Sequence, residues 1–222
     1  MAPPKVADKP LGILGGTFDP VHAAHLRLAE EATAQLGLTG VLWIPAGHPH
    51  HRASPVASAE DRLAMVRLAT AGHPEYLIDD SEIFSSEPSY TVPTLERLRQ
   101  IHGENQPLVL LMGADAFLGL ASWHRWRELF RLAHVAVVSR PTFTLAPEAM
   151  NEALADEFRR RRKIPFTALA TAPAGAIVTF TMDAGTVSST EVRTLLQNNG
   201  SVDGLLPAPV LDYILRKQLY LP

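Results

Sequence analysis

The fold is decided by the stretch Gly15-Gly16-Thr17-Phe18-Asp19-Pro20-Val21-His22-Ala23-Ala24-His25. An apolar run, Leu11 to Leu14, precedes it and predicts a short strand. The paired glycines allow the backbone to approach a ligand closely and to adopt dihedral angles that are closed to other residues. The stretch therefore predicts a strand that is followed by a tight, phosphate-binding turn.

The same stretch predicts the start of a helix. Asp19 suits the N-cap and Pro20 the first helical position, so the free amide groups of the first turn can point at an anion. His22 and His25 are three residues apart and therefore share one face of that helix. Without a ligand these residues would form an ordinary turn, and the two histidines could instead bind a metal. A nucleotide is the leading ligand.

A second phosphate signal lies near the other end of the chain, at Val187-Ser188-Ser189-Thr190-Glu191-Val192-Arg193, after the apolar strand candidate Ala176 to Phe180. Ser188 and Glu191 form a capping box, which predicts a helix that begins there. Capping alone would account for these two residues. The further hydroxyl groups and Arg193 favour an anion site, because arginine offers several fixed donors to phosphate oxygens.

The pattern GGTFDPxHxxH resembles the signature of the nucleotidylyltransferase superfamily, whose members join a nucleotide to a phosphate-bearing acceptor and release pyrophosphate. Ala24 stands where the usual form has glycine, and it is nearly as small. Residues 187–193 resemble the ISSTxxR motif of the same superfamily, with Val187 in place of isoleucine.

Further segments are similar to the bacterial nicotinate mononucleotide adenylyltransferases, so the resemblance runs from about residue 11 to 220. They are the loop Pro45-Ala46-Gly47-His48-Pro49-His50-His51-Arg52, the PSYTxxTL segment from Pro88, Gly113-Ala114-Asp115, Trp123 with Trp126, Arg140-Pro141, Leu206-Pro207, Tyr213-Ile214 and Leu219-Tyr220. In the loop, His50 stands where a second proline is common.

The resemblance implies that the 5′-phosphate of nicotinate mononucleotide attacks the α-phosphorus of ATP, giving nicotinate adenine dinucleotide and pyrophosphate in NAD biosynthesis. His22, His25 and Arg193 would be the catalytic residues. Mg²⁺ would be the cofactor, carried by the nucleotide, with no metal site built from protein side chains. ATP would be bound by residues of both motifs and by a carboxylate at a strand end: Gly15, Gly16, Thr17, Phe18, His22, His25, Asp115, Ser188, Ser189, Thr190 and Arg193.

Several of these assignments have alternatives. Asp115 is expected near the adenosine, but it could equally cap a helix that begins at Ala116. His51 and Arg52 would close over the phosphates, unless the histidines at 48, 50 and 51 are only a solvent-exposed cluster.

The acceptor is assigned by the resemblance to Thr91, Trp123 and His124. The indole would stack on the pyridine ring, and amide groups near Thr91 and His124 would receive the carboxylate, whereas Trp126 is expected in the core. The signature reports nucleotidyl transfer rather than the acceptor. Nicotinamide mononucleotide or phosphopantetheine therefore remains an alternative, although the PSYT segment and Trp123 argue against phosphopantetheine. A module that senses ATP without turnover is the alternative outside enzymology.

The composition predicts a single globular enzyme domain. A chain of 222 residues with 46% hydrophobic and 19% charged residues can build one α/β core. The absence of cysteine excludes disulfides and cysteine-based catalysis. A net charge of −3 gives no global attraction to nucleic acid, and the basic run Arg159–Lys163 is expected on a solvated helix face rather than in an RNA-binding patch. With no apparent membrane span or signal peptide, a cytoplasmic location is expected, with no membrane partner and a homo-oligomer allowed.

Strands alternate with helices along the chain, which predicts a parallel, doubly wound, Rossmann-like sheet. Helices are predicted at Ala23–Leu36, Ala59–Thr70, Val92–His102 and Ala114–Leu120, and the remaining strands at Val41–Ile44, Tyr76–Asp79, Leu108–Met112 and Val135–Val138. A disordered tail is predicted at 1–10, and one domain at 11–222. Within that domain we expect an irregular or helical excursion at 141–175 and a C-terminal helical part at 188–222.

Overall fold

The computed structural model describes residues 9–49, 54–139, 143, 145–182 and 187–222. Most of the predicted disordered tail therefore lies outside the described residues. The strands of the described chain are β1 (Leu11–Gly16), β2 (Val41–Pro45), β3 (Tyr76–Ile78), β4 (Leu108–Gly113), β5 (His134–Ser139) and β6 (Ile177–Thr181). Each lies within about one residue of its predicted position, except that β1 continues through both glycines of the signature.

The helices of the described chain fall between and after these strands. They are α1 (Ala23–Leu36), α2 (Ala59–Thr70), α3 (Thr91–His102), α4 (Ala114–Leu118), α5 (Leu129–Leu132), α6 (Glu152–Arg161), α7 (Ser189–Gln197) and α8 (Ala208–Lys217). α1 and α2 have the predicted bounds, and α4 ends two residues before its predicted end.

The six strands form one all-parallel sheet in the order β3-β2-β1-β4-β5-β6. Leu11 of β1 lies beside Leu108 of β4, and Val135 of β5 lies beside Ile177 of β6. This order is that of Rossmann-type doubly wound folds, in which ligands bind beyond the carboxyl ends of the strands. The predicted fold class is confirmed.

The chain separates into two compact units, and each is discontinuous in sequence. The first comprises Met1–Leu14, Glu31–Val41 and Tyr90–Met182, and the second comprises Gly15–Glu30, Leu42–Ser89 and Asp183–Pro222. The single domain that the sequence predicts over residues 11–222 stays a prediction.

The first unit is built around the buried strands β4 and β5. The buried side chain of Arg99 donates hydrogen bonds to the backbone carbonyls of Leu132, Gly103, Gln106 and Pro173. Nδ1 of His134 accepts the amide of Ala176 at 3.0 Å, so its Nε2 carries the proton and donates to the carbonyl of Ala172 at 2.8 Å. Both polar side chains are therefore satisfied parts of the core.

Short helices occupy much of the segment from 145 to 175. Besides α6, 3₁₀ turns form at Pro147–Ala149 and Phe166–Ala170. The basic run at the end of α6 pairs with acidic residues of the same helix: Arg159 with Asp156, and Arg160 and Arg161 with Glu157. The Arg159–Asp156 pair is exposed, as expected of a solvated helix face, whereas Glu157 is buried.

The second unit carries the signature stretch, α2, α7 and α8. Its core includes Trp43 of β2, whose ring lies 5.5 Å from that of Phe18 and 5.8 Å from that of Tyr76. Because Phe18 belongs to the signature, the loop after β1 is anchored in this core by one of its own side chains.

Candidate active site

The loop after β1 turns sharply at Phe18, which has a φ of 51° and is buried. A Cβ atom added to Gly16 would lie 2.9 Å from two carbon atoms of the Phe18 ring, so the position requires glycine. The edge of the same ring faces His25 at 5.0 Å between centroids. Phe18 is therefore fixed by packing within the second unit.

Asp19 has a different place from the one predicted. α1 begins at Ala23, so neither Asp19 nor Pro20 holds its predicted position at the helix start, and that prediction is wrong. The carboxylate is buried and accepts the amides of Val56 at 2.8 Å and Ala57 at 3.0 Å. These tertiary donors replace the local helix cap, because a buried carboxylate needs several hydrogen bonds to offset its desolvation.

The structure brings His22 and His25 together. Their rings stack with centroids 3.8 Å apart, and the backbone amide of His22 donates to Nδ1 of His25 at 3.2 Å. Because Nδ1 of His25 accepts a hydrogen bond, the proton of its neutral ring lies on Nε2.

His22 is buried just before α1, with 6% of its surface exposed. Burial lowers its pKa to about 4, so the ring is neutral at pH 7. Among the described residues, its buried Nδ1 has no hydrogen-bond partner. His22 can thus act as a hydrogen-bonding group toward phosphate, but not as a cation in the free protein.

The second phosphate motif packs against the first. Ser189 at the start of α7 donates its hydroxyl to the carbonyl of Pro20 at 3.0 Å, and Nη1 of Arg193 donates to the carbonyl of Asp19 at 2.7 Å. Nη2 of Arg193 lies 3.4 Å from the hydroxyl of Thr190. Two segments about 170 residues apart therefore meet in the second unit.

The start of α7 has the predicted cap. The hydroxyl of Ser188 accepts the amide of Glu191 at 3.2 Å, which leaves the amides of Ser189 and Thr190 without an intrahelical acceptor. Arg193 keeps part of its side chain exposed on the same helix. Capping and anion binding are compatible here, because they use different groups of the first turn.

Arg62 of α2 is a site residue that sequence reasoning missed. Its guanidinium is 1% exposed and donates to the carbonyl of Thr17 in the signature loop and to those of Ala46 and Gly47 after β2. Burial lowers its pKa, and the charge of Asp19 counteracts this. Helical spacing was the available signal, because Arg62 shares the buried face of α2 with Met65, Val66 and Ala69.

The loop after β2 is described by the structure up to Pro49. Its Gly47 packs so tightly that an added Cβ would lie 2.0 Å from the carbonyl oxygen of Glu82. Ser89, in the PSYT segment, forms two hydrogen bonds with the backbone of His48. Its amide donates to the carbonyl of His48, and its hydroxyl accepts the amide of His48. The predicted phosphate residues His51 and Arg52 lie outside the described residues, as does His50.

The predicted acceptor residues lie in the first unit. Thr91 begins α3, and Trp123 is half-buried after a 3₁₀ turn. His124 is exposed, with its ring 4.7 Å from that of Tyr90. Trp126 is buried, as expected of a core residue.

Asp115 is exposed in the first turn of α4. That helix begins at Ala114 with Gly113 at its N-cap, so the alternative in which Asp115 caps a helix starting at Ala116 is wrong.

The described residues contain no group of three or more histidine and acidic side chains that could hold a metal ion. No helix among them is both long and apolar enough to cross a membrane.

Comparison with known proteins decides the family. The cytidylyltransferase-like family model matches residues 13–195. A probable nicotinate-nucleotide adenylyltransferase of Dechloromonas aromatica is 55% identical over 96% of this chain and 98% of its own length. The chain belongs to the nicotinate-nucleotide adenylyltransferase family. Further members so named, from Acidithiobacillus ferrooxidans and Pseudomonas putida, are 44% and 42% identical over 95% of the chain.

Solved structures of nicotinate mononucleotide adenylyltransferases share the fold. The Plasmodium falciparum protein, in complex with NaAD, superposes with a TM-score of 0.71 over 96% of this chain and 98% of its own, at 16% identity. A Vibrio parahaemolyticus protein described as a putative nicotinate-nucleotide adenylyltransferase gives a TM-score of 0.61 over 96% of both chains, at 15% identity. At this identity the likeness concerns the fold, and it agrees with the family assignment.

Proposed function

We propose that this chain transfers the adenylyl group of ATP to nicotinate mononucleotide, the reaction after which its family is named. One observation carries the proposal: Ser189 and Arg193 of the second phosphate motif bind the backbone of Pro20 and Asp19 in the first. A single helix N-terminus is common, whereas two phosphate motifs held together suit a polyphosphate substrate.

The chemistry needs no general base. The second pKa of a phosphate monoester is about 6, so the 5′-phosphate of the mononucleotide is largely ionised at pH 7. Its oxygen forms a bond to the α-phosphorus of ATP, the bond from that phosphorus to the bridging oxygen breaks, and pyrophosphate leaves with the electron pair. The protein has to hold both phosphates in line and stabilise the developing charge.

Each motif has a part in this. The amides of Gly15 to Phe18, the first turn of α7 with Ser188, Ser189 and Thr190, and the guanidinium of Arg193 bind the triphosphate. His25, with its proton on Nε2, and the neutral ring of His22 interact with the phosphate oxygens where charge develops. Asp115 contributes to adenosine binding.

Mg²⁺ enters as part of the ATP substrate. The carboxylate of the first motif, Asp19, is buried and already accepts hydrogen bonds from Val56, Ala57 and Tyr220. Its oxygens are therefore poorly suited to bind a metal ion as well, and the nucleotide would carry the Mg²⁺.

The acceptor is bound by residues of the first unit. Trp123 stacks on the pyridine ring, and amides near Thr91 and His124 receive the carboxylate. These donors favour the acid over nicotinamide mononucleotide, because a carboxamide would oppose its own NH₂ group to backbone N–H groups. A cytoplasmic location and a homo-oligomer stay predictions from the sequence.

A pyrophosphate-release assay tests the proposal. Purified protein with Mg²⁺, ATP and either mononucleotide should release pyrophosphate faster with the acid than with the amide. Variants that lack His22 or His25 should lose kcat more than affinity for ATP. Binding of ATP without pyrophosphate release from any pyridine mononucleotide would instead favour the sensing module.

A further inference from the structure

Arg62 connects two loops that follow neighbouring strands. Its Nη1 donates to the carbonyl of Thr17 at 2.7 Å and to that of Ala46 at 2.6 Å, and its Nη2 donates to Gly47 at 3.1 Å. The guanidinium is fully enclosed, so it is not available to a ligand itself. Any effect on the reaction must pass through the backbone that it holds.

Peptide geometry specifies that effect. In a trans peptide the carbonyl of one residue and the amide of the next point in opposite directions across the same plane. The peptide between Thr17 and Phe18 is not among the cis bonds of the described chain. Because the Thr17 carbonyl points at Arg62, the Phe18 N–H points away from Arg62.

The same geometry can be checked at the second loop. The carbonyl of Gly47 points at Arg62, and the amide of the next residue, His48, donates in another direction to the hydroxyl of Ser89 at 3.1 Å. At this second loop, too, the carbonyl bonded to Arg62 is followed by an amide that points away from Arg62 and donates to another group.

We infer that Arg62 is a positioning residue for adenylyl transfer: it fixes the Thr17–Phe18 peptide so that the Phe18 amide is presented to the ATP phosphates. The inference rests on the proposed function, which assigns this amide to the triphosphate. The Phe18 ring packs against His25 and Trp43 and so fixes the position of Phe18 itself. The direction of the amide is therefore restrained both by Arg62 and by the packing of the Phe18 ring.

A lysine at position 62 cannot form the same set of hydrogen bonds. The planar guanidinium presents its donors in a rigid fork, and two of its nitrogens reach three carbonyls, whereas a lysine has one nitrogen on a flexible chain. Arg62→Lys therefore keeps the positive charge but loses the fork. Arg62→Met loses both.

Arg99 supplies the matched control. It is also a buried arginine, and it donates to four backbone carbonyls in the first unit, none of which belongs to either phosphate motif. Arg99→Lys should therefore impose a comparable loss of buried hydrogen bonds without altering the Phe18 amide.

Steady-state kinetics with ATP and nicotinate mononucleotide, at a temperature where each protein is folded, test the inference. Arg62→Lys and Arg62→Met should both lower kcat/KM for ATP on the order of 100-fold, as misplacement of a binding group by about 1 Å does, with the KM for the mononucleotide unchanged. Arg99→Lys should retain kcat/KM. Wild-type kinetics in folded Arg62→Lys would overturn the inference, as would an equal loss in Arg99→Lys.

A measurement on the unaltered protein covers the case in which the Arg62 variants do not fold. Hydrogen exchange of the Phe18 amide, followed by NMR, should slow by about tenfold when ATP is added alone at ten times its Kd. Unchanged exchange at Phe18 with ATP bound would overturn the inference even if the protein releases pyrophosphate. Absence of pyrophosphate release in the unaltered protein would instead contradict the proposed function, so the two failures are distinguishable.

Discussion

The phenolic hydroxyl of Tyr220 donates a hydrogen bond to Oδ1 of Asp19 over 2.7 Å and joins two residues that are 201 positions apart in the chain. Both side chains are buried. Burial and the neighbouring carboxylate raise the pKa of Tyr220, so its proton stays in place at neutral pH. The C-terminal end of the chain therefore helps to hold the loop on which the proposed chemistry depends.

Replacing Tyr220 by phenylalanine tests this link. The change removes one donor from a buried carboxylate, so the free energy of unfolding should fall by about 2 kcal/mol, within the range for hydrogen bonds to charged groups. Urea denaturation measures the change. Tyr213→Phe removes a similar 2.7 Å hydrogen bond, to the less buried Asp61, and should cost clearly less. Equal losses in the two variants would show that the deeper burial of Asp19 does not increase the contribution of its hydrogen bond to stability.

Gly47→Ala tests how tightly the loop after β2 is packed. The new methyl group would lie 2.0 Å from the carbonyl oxygen of Glu82, which forces a backbone shift and should lower the free energy of unfolding by about 3 kcal/mol. Gly72→Ala is the control, since a Cβ there meets nothing within 4 Å. It should be neutral or slightly stabilising, by about 0.5 kcal/mol. A Gly47→Ala protein as stable as the original would mean that the loop can shift to accommodate the methyl group at little energetic cost.

The burial of His22 predicts a pH dependence of stability. Its pKa is about 4 in the folded chain and about 6.5 when unfolded, so between these values the unfolded state binds more protons. Stability should therefore fall as the pH drops from about 6.5 to 4, with His22 contributing about 3 kcal/mol of the loss. Unfolding of His22→Asn across this range should show a shallower pH dependence than unfolding of the original protein. Identical slopes for His22→Asn and the original protein would show that a group other than His22 causes the pH dependence of stability.

Trp123→Ala separates acceptor binding from acceptor choice. Stacking depends little on the charge of the ring substituent, so kcat/KM should fall for both mononucleotides by an amount worth about 1 to 3 kcal/mol, the range for stacking of a base on an aromatic ring. Their ratio should stay nearly constant. Trp126→Phe is a control, because Trp126 packs in the core. If Trp123→Ala leaves both substrates unaffected, Trp123 has only a packing role.

The fold and the family could be predicted from the sequence because their signals are local. Apolar runs marked the strands, and the capping box at Ser188 marked the start of α7 within one residue. The residue types and spacing of the two phosphate motifs indicated the superfamily, and the further segments, such as PSYTxxTL, indicated the family, which the comparisons confirm.

The network behind the motifs could not be predicted, since it depends on contacts between distant segments. In the sequence Asp19 resembles a helix N-cap, but α1 begins at Ala23 and the partners of Asp19 come from residues 56, 57 and 220. Arg62 appears as one polar residue on an apolar helix face, and only the three-dimensional structure identifies the carbonyls that it holds. The residues assigned to substrate by resemblance stay predictions.

The most direct test of adenylyl transfer follows the phosphorus atoms of ATP. The protein is incubated with Mg²⁺, nicotinate mononucleotide and ATP labelled either at the α-phosphorus or at the γ-phosphorus, and the products are separated. Adenylyl transfer requires that the α-label appear in the dinucleotide and the γ-label in pyrophosphate. Appearance of the γ-label in inorganic phosphate or on the mononucleotide, with no α-label in a dinucleotide, would contradict it.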